Sequence, residues 1–238
     1  MLPDPLTAPP SSVPSRSPGE HRSLGDCWRS FWGHASPRIL AAALVLAAGA
    51  RVLLGGFSWR DAAVAIGIVV LTPFAEWAIH VYLLHAPPLR LRGRRLELPT
   101  AREHREHHLA PAVLDGVLLP AYGVVIFLFM MVGTVWGLSF PIHALLGGDR
   151  VAGAATGLLT SYLILGAYEW THYLIHSPYR PSGRYFRSIW RNHRLHHYKN
   201  ERYWFGVTST VGDRVIGTLP DQRAIPRSKT ARTLHAGS

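Results

Sequence analysis

Ten of the fourteen histidines in this 238-residue chain fall into four short clusters: His80-x4-His85, His104-x2-His107-His108, His172-x3-His176 and His193-x2-His196-His197. Imidazole suits Fe, Zn, Cu and Ni alike, so the pattern points to a metal site without naming the metal. Residues three and four apart share a helical face, which lets His104, His107 and His108 aim at one centre, and His193, His196 and His197 likewise. His172 and His176, four apart, offer two nitrogens from one face. His80 and His85 are five apart and diverge by about 140° on a regular α-helix. The helix is expected to fray or bend there, helped by Pro87 and Pro88.

Ten rings are more than one ion accepts. Shared between two ions they give five each and leave a coordination position open, the layout of a binuclear catalytic centre and not of a closed structural site. Which ring serves which ion is left open by the spacing. His21, His34, His143 and His235 lie outside the clusters and read as ordinary amphipathic residues. Glu76, four residues before His80, and Glu169, three before His172, are ionisable groups inside apolar segments. Both are candidates to orient a ligand ring through its second nitrogen. Glu103 and Glu106, in a run of arginine, glutamate and histidine, read as part of a solvated face.

The elements that must position these rings are apolar. Hydrophobic residues make up 48% of the chain and charged residues 16%, well under the roughly 25% usual for soluble domains. Mean hydropathy is only +0.10 because polar ends dilute an apolar middle. Four segments stand out, 39–54, 62–84, 117–138 and 151–175, and about 20 helical residues cross a bilayer core of roughly 30 Å. The first is short and carries Arg51 near its end. Residues 1–37, rich in proline and serine, read as a disordered tail with no signal peptide, and 223–238 as a disordered basic tail. The body between them, 38–222, is the membrane-embedded domain. With one cysteine, Cys27, the chain builds no intrachain disulfide, cysteine zinc site or iron–sulfur cluster.

The net charge of +11 is explained by topology before any nucleic-acid partner is invoked. Basic residues gather on the cytoplasmic side of short loops. Twenty-two of the 25 Lys and Arg lie in the N-terminal tail, the loop after the second segment and the stretch after His176. Four spans, cytoplasmic termini and four histidine clusters on that one face follow. Two half-sites then share a plan: span, histidine pair, basic segment, His-x2-His-His. The excess of arginine over lysine fits a bacterium with a GC-rich genome, and so a bacterial plasma membrane.

At these residues the chain resembles the fatty acid hydroxylase superfamily, which includes sterol desaturases and carotenoid hydroxylases. The likeness runs from about His80 to Asp221. It includes Phe205-Gly206-Val207-Thr208, Asp213 and Leu219-Pro220, similar to the segment that closes fatty acid 2-hydroxylase domains. The resemblance implies an all-α integral membrane protein, four transmembrane helices under a cytoplasmic helical cap. All ten histidines would bind two iron ions, with zinc as an alternative occupant of isolated protein, and no haem, flavin or iron–sulfur site. It implies hydroxylation of a lipid C–H bond, most simply in a fatty acyl chain, with sterol or carotenoid oxidation as the alternative. No His-Pro-Gly-Gly haem motif is present, so electrons come from a separate ferredoxin or cytochrome b5-like carrier. A membrane metal transporter or metal-binding protein is the rival from another class. Transport would place ionisable residues along a path through the bilayer, but here they collect at one end.

Overall fold

Helix length and composition set the architecture. The computed structural model describes residues 23–92 and 94–234. Four stretches are long and apolar enough to cross a membrane: Ala35–Leu54, Trp59–Leu84, Leu114–Leu146 and Arg150–His176. Helix α1 is Leu24–Phe31, α2 Ala35–Leu54, α3 Trp59–Ala78, α4 Pro99–Leu109, α5 Ala121–Leu146, α6 Arg150–His176, α7 Arg184–Tyr198 and α8 Val211–Ile216. The only sheet among the described residues is a two-stranded antiparallel ribbon, Leu89–Leu91 with Arg94–Leu96. This is an all-helical membrane protein. Helix α6 packs against α2, α3 and α5, while Val45, Leu46, Leu53 and Phe129 point outward, each more than two-thirds exposed. Outward apolar side chains are what lipid requires.

The first span is longer than its apolar run suggested, because Ser36, Pro37 and Arg38 join its first turns. Its Arg51, fully buried, is answered from two other helices. The guanidinium bonds Asp61 of α3 (2.7 Å) and Thr156 of α6 (2.7 Å), and Thr156 Oγ1 also donates to Asp61 (2.6 Å). Asp61 at the same time accepts the backbone N–H of Ser58 (2.8 Å), completing the capping box that starts α3. This polar knot pins three spans together at the end of the bundle away from the histidines.

Both tails depart from expectation. Residues 1–22 and 235–238 lie outside the described residues, but the disorder expected up to residue 37 gives way to α1 from Leu24. Ser23 and Asp26 form a capping box, and Cys27 and Phe31, one turn apart, bury against Tyr173 and Leu174 with Trp170 alongside. The prolines crowd residues 3–18, so a helix can begin once they end. The stretch after residue 222 is likewise a folded strap. Ser228 N–H bonds Lys199 O (2.8 Å), Thr230 Oγ1 bonds Glu201 (2.6 Å), and Ala231 and Leu234 are buried.

Candidate metal centre

The ten histidines meet at one end of the bundle. His172 and His176 close α6, one turn apart. His80 and His85 lie on a π-helical turn, Ile79–Leu84, that continues α3. The expected fraying is absent: His85 N–H donates to His80 O (3.0 Å), the five-residue bond of a π-turn, which brings residues five apart onto one side. The two rings sit 4.9 Å apart, centre to centre. Helices α4 and α7 lie over this end, each turning its three histidines into the interior.

The rings sort into two groups of five. One ring nitrogen from each of His80, His85, His104, His108 and His196 falls within 4.8 Å of the others, and the same holds for His107, His172, His176, His193 and His197. The groups do not follow the half-sites seen in the sequence. Each takes four rings from its own half and the middle histidine of His-x2-His-His from the other, His107 crossing one way and His196 the other. The inner contacts repeat in matching order. Nε2 of His80 and His108 lie 3.1 and 3.2 Å from Nε2 of His104, as those of His172 and His197 lie 3.1 and 3.0 Å from His193. His85 meets His196 at 3.2 Å, as His176 meets His107.

Hydrogen bonds behind the rings fix what the inner nitrogens carry. Nδ1 of His80 donates to Phe205 O (2.6 Å), that of His108 to Ala231 O (2.9 Å) and that of His196 to Tyr203 O (2.8 Å). A neutral ring that donates from Nδ1 presents a lone pair at Nε2. Burial pushes His104, His107, His193, His196 and His197 well below the ordinary imidazole value, with neighbouring rings adding to the effect, and holds His108 at about 3. These cap rings are neutral. His104 can offer one N–H to either His80 or His108, never to both, so a lone pair faces a lone pair at about 3 Å. A cation relieves that repulsion. Nitrogens so spaced suit ligands at roughly right angles, about 2.1 Å from a common ion, and five donors exceed a closed tetrahedral set. The residues present therefore fit two ions.

Neither carboxylate singled out from the sequence bonds a histidine ring. Glu76 accepts from the backbone N–H of Thr208 (2.9 Å), from that of Val207 and from the Thr208 hydroxyl. It thus anchors the loop whose Phe205 carbonyl backs His80. Glu169 accepts from Ser36 Oγ (2.5 Å) and Leu119 N–H (3.4 Å), joining α6 to α2 and to the entry of α5. Sequence reasoning missed the braces themselves. Asp213 gathers Phe205 N–H (3.0 Å), Gly206 N–H (2.7 Å) and Thr218 Oγ1 (2.5 Å), and burial raises its carboxyl although these bonds pull the other way. At Gly206 a Cβ would lie 1.9 Å from Ser209 O, so this turn tolerates only glycine. Arg232 donates from Nε to His108 O (2.9 Å) and from Nη2 to Leu109 O, clamping the end of α4.

Below the rings, a cavity of about 520 Å³ runs between α3, α5 and α6. Val64, Ile68, Leu71, Phe127 and Met131 line its middle, and Glu76, Leu84 and Tyr168 its upper end. The Tyr168 ring lies 5.6 Å from that of His172, so the apolar channel ends one side chain short of the second group.

The sequence profile of the fatty acid hydroxylase family matches residues 65–218, more than half of the chain and all ten histidines. The chain belongs to the fatty acid hydroxylase family. It is 28% identical to a dihydroceramide fatty acyl 2-hydroxylase of Arabidopsis thaliana, over 67% of this chain and 63% of that protein. It is 28% identical to the fatty acid 2-hydroxylase of Mus musculus over 69% of this chain and 42% of that one. A ceramide very long chain fatty acid hydroxylase of Schizosaccharomyces pombe is 31% identical over 64% of this chain and 41% of its own length. The chain thus spans about two-fifths to two-thirds of these relatives. Its fold matches the hydroxylase domain visible in full-length Scs7p, with a TM-score of 0.60, 23% identity, and 82% of this chain and 68% of that one covered. The strap beyond residue 222 lies outside the family match.

Proposed function

We propose that this protein is a membrane oxygenase that hydroxylates a C–H bond of a fatty acyl chain, with two iron ions held by the two five-histidine groups. The observation that carries this reading is the pair of lone-pair clusters at the end of an apolar, membrane-spanning cavity. Iron in these sites would supply the activation of O2 needed to attack an unreactive C–H bond. The protein's own part is positional. The cavity takes the apolar chain and excludes water, Leu84 and Tyr168 set where that chain stops, and the π-turn and cap helices hold the rings. A separate electron carrier, a ferredoxin or cytochrome b5-like protein, completes this reading. The concentration of arginine at the histidine end supports a cytoplasmic orientation of that end, and the excess of arginine over lysine supports a bacterial plasma membrane.

The test is to purify the protein from membranes, count its metals, and supply O2 labelled with 18O, a reductant and a lipid extract. Mass spectrometry should find one labelled oxygen in an acyl chain and about two irons per chain. A labelled sterol or carotenoid, or a desaturated product, would move the substrate or the reaction within the family. Metal movement across vesicles without oxygen uptake would instead support a transporter.

A further inference from the structure

Helix α7 has two faces with opposite duties. His193, His196 and His197 point at the span ends, where His193 meets His172 and His196 meets His85. On the other side, Arg184, Arg187, Arg191 and Arg194 recur at intervals of three and four residues, one continuous stripe. Arg180, in the preceding turn, joins them. These five arginines line one surface pocket of about 850 Å³, with Tyr179 and Trp190 beside them. Among the described residues none of the five forms an ion pair. Like charges four residues apart repel, so a stripe of them costs stability unless a partner answers it. The Arg194 guanidinium stacks 4.8 Å from the Trp190 ring and 5.2 Å from that of Tyr198. Trp190 Nε1 is buried with no acceptor.

The direction of the stripe says what the partner is. Because the histidine face of α7 looks down onto the bundle, the arginine face looks away from it. A soluble partner can reach the stripe, and only the thickness of one helix, about 10–12 Å, then separates it from the second histidine group.

We propose that the arginine face of α7 docks a small acidic soluble protein that delivers electrons one at a time to the metal centre. This rests on the oxygenase reading above. That reaction needs two electrons and two protons for each O2, one oxygen atom entering the C–H bond and the other leaving as water. A one-electron carrier must therefore dock twice per turnover, which favours rapid encounters steered by charge over tight, slow ones.

The experiment uses the full-length, iron-loaded protein in nanodiscs of neutral phosphatidylcholine. The probes are an acidic [2Fe–2S] ferredoxin and the soluble domain of a cytochrome b5. Affinity is measured at low and high salt, and oxidation of the reduced probe is followed by stopped flow. The double variant Arg187→Glu, Arg191→Glu should weaken the affinity at least about tenfold at low salt, flatten its salt dependence and slow probe oxidation. Metal content and reduction by dithionite should not change, and Arg214→Glu on α8 should match wild type. Equal affinities for wild type and double variant would overturn the proposal, as would no binding of either probe to wild type. It would also fall if the double variant lost only binding to phosphatidylserine vesicles, which would give the stripe to the lipid surface. Failure of the oxygenase reading looks different: no hydroxylated lipid from any variant when the reduced protein is given O2 and lipid, while the affinity measurements still decide the docking.

Discussion

In the first five-histidine group three rings are braced from behind by backbone carbonyls, His80 by Phe205, His196 by Tyr203 and His108 by Ala231. In the second, Nδ1 of every ring, His107, His172, His176, His193 and His197, is buried without a hydrogen bond of normal geometry. The carbonyls of Val117 and Pro111 act on His172 and His176 from outside that geometry. The inner contacts of the groups match to within 0.2 Å, so the difference lies behind the rings. Orientation of His80 and His108 in the first group depends on chain that folds back from far along the sequence, and that of His196 on the turn just after α7. In the second it depends on how α4, α6 and α7 pack.

The largest effects should come from the crossing of His107 and His196. His107→Ala should remove the same ion as His193→Ala, so the double variant of these two should still hold one ion. The double variant His107→Ala, His104→Ala should hold none. Either single variant should lose activity beyond the roughly 100-fold that loss of a supporting partner typically costs. Metal counts for the two double variants check this directly. If His107 paired with His104 in these counts, the sites would follow the sequence halves instead.

Next comes the strap. A chain ending at residue 224 lacks the Ala231 carbonyl behind His108 and the Arg232 clamp on α4. The first group should lose metal affinity by about 10 to 100-fold while the second keeps its ion. Titration with a chelator reads both in one experiment. Equal loss from both sites would mean that the strap merely supports the fold.

The strap also marks the limit of what could be read from sequence. Four spans and the clustering of ten histidines were legible because apolar length and three- and four-residue spacing are local properties. The pairing of His107 with His176, and of His196 with His85, was not, because it depends on where α4 and α7 come to rest. Nor were the braces, since a carbonyl belongs to every residue and Phe205, Tyr203 and Ala231 bear no mark of the task. The five-residue spacing of His80 and His85 was visible but judged against a regular helix, and a π-turn resolves it. Helix α1 was hidden by the proline-rich stretch before it, although Ser23, Asp26, Cys27 and Phe31 carried its cap and its buried face.

A smaller, one-sided effect is expected at Glu76. Glu76→Gln keeps one acceptor for the Val207–Thr208 loop but removes the charge that strengthens those bonds. The Phe205 carbonyl should then hold His80 less firmly, lowering metal affinity in the first group by about tenfold, at the mild end of such losses. The second group should not respond. A matched fall at both sites would place Glu76 in the shared scaffold and not behind His80.

Glu169 provides the finest test, because it sits three residues before His172 yet bonds elsewhere. Its carboxylate joins Ser36 of α2 to Leu119 at the start of α5, so its work is between helices. In Glu169→Gln the amide oxygen can still accept both bonds, and what is lost is the extra strength of a charged acceptor, about 1 kcal/mol. The expected outcome is a modestly lower unfolding temperature with both ions retained. Selective loss of the second ion, at unchanged stability, would show instead that Glu169 steers His172 in solution. The second group would then have a brace of its own, and the contrast with the first would shrink to the identity of the acceptor.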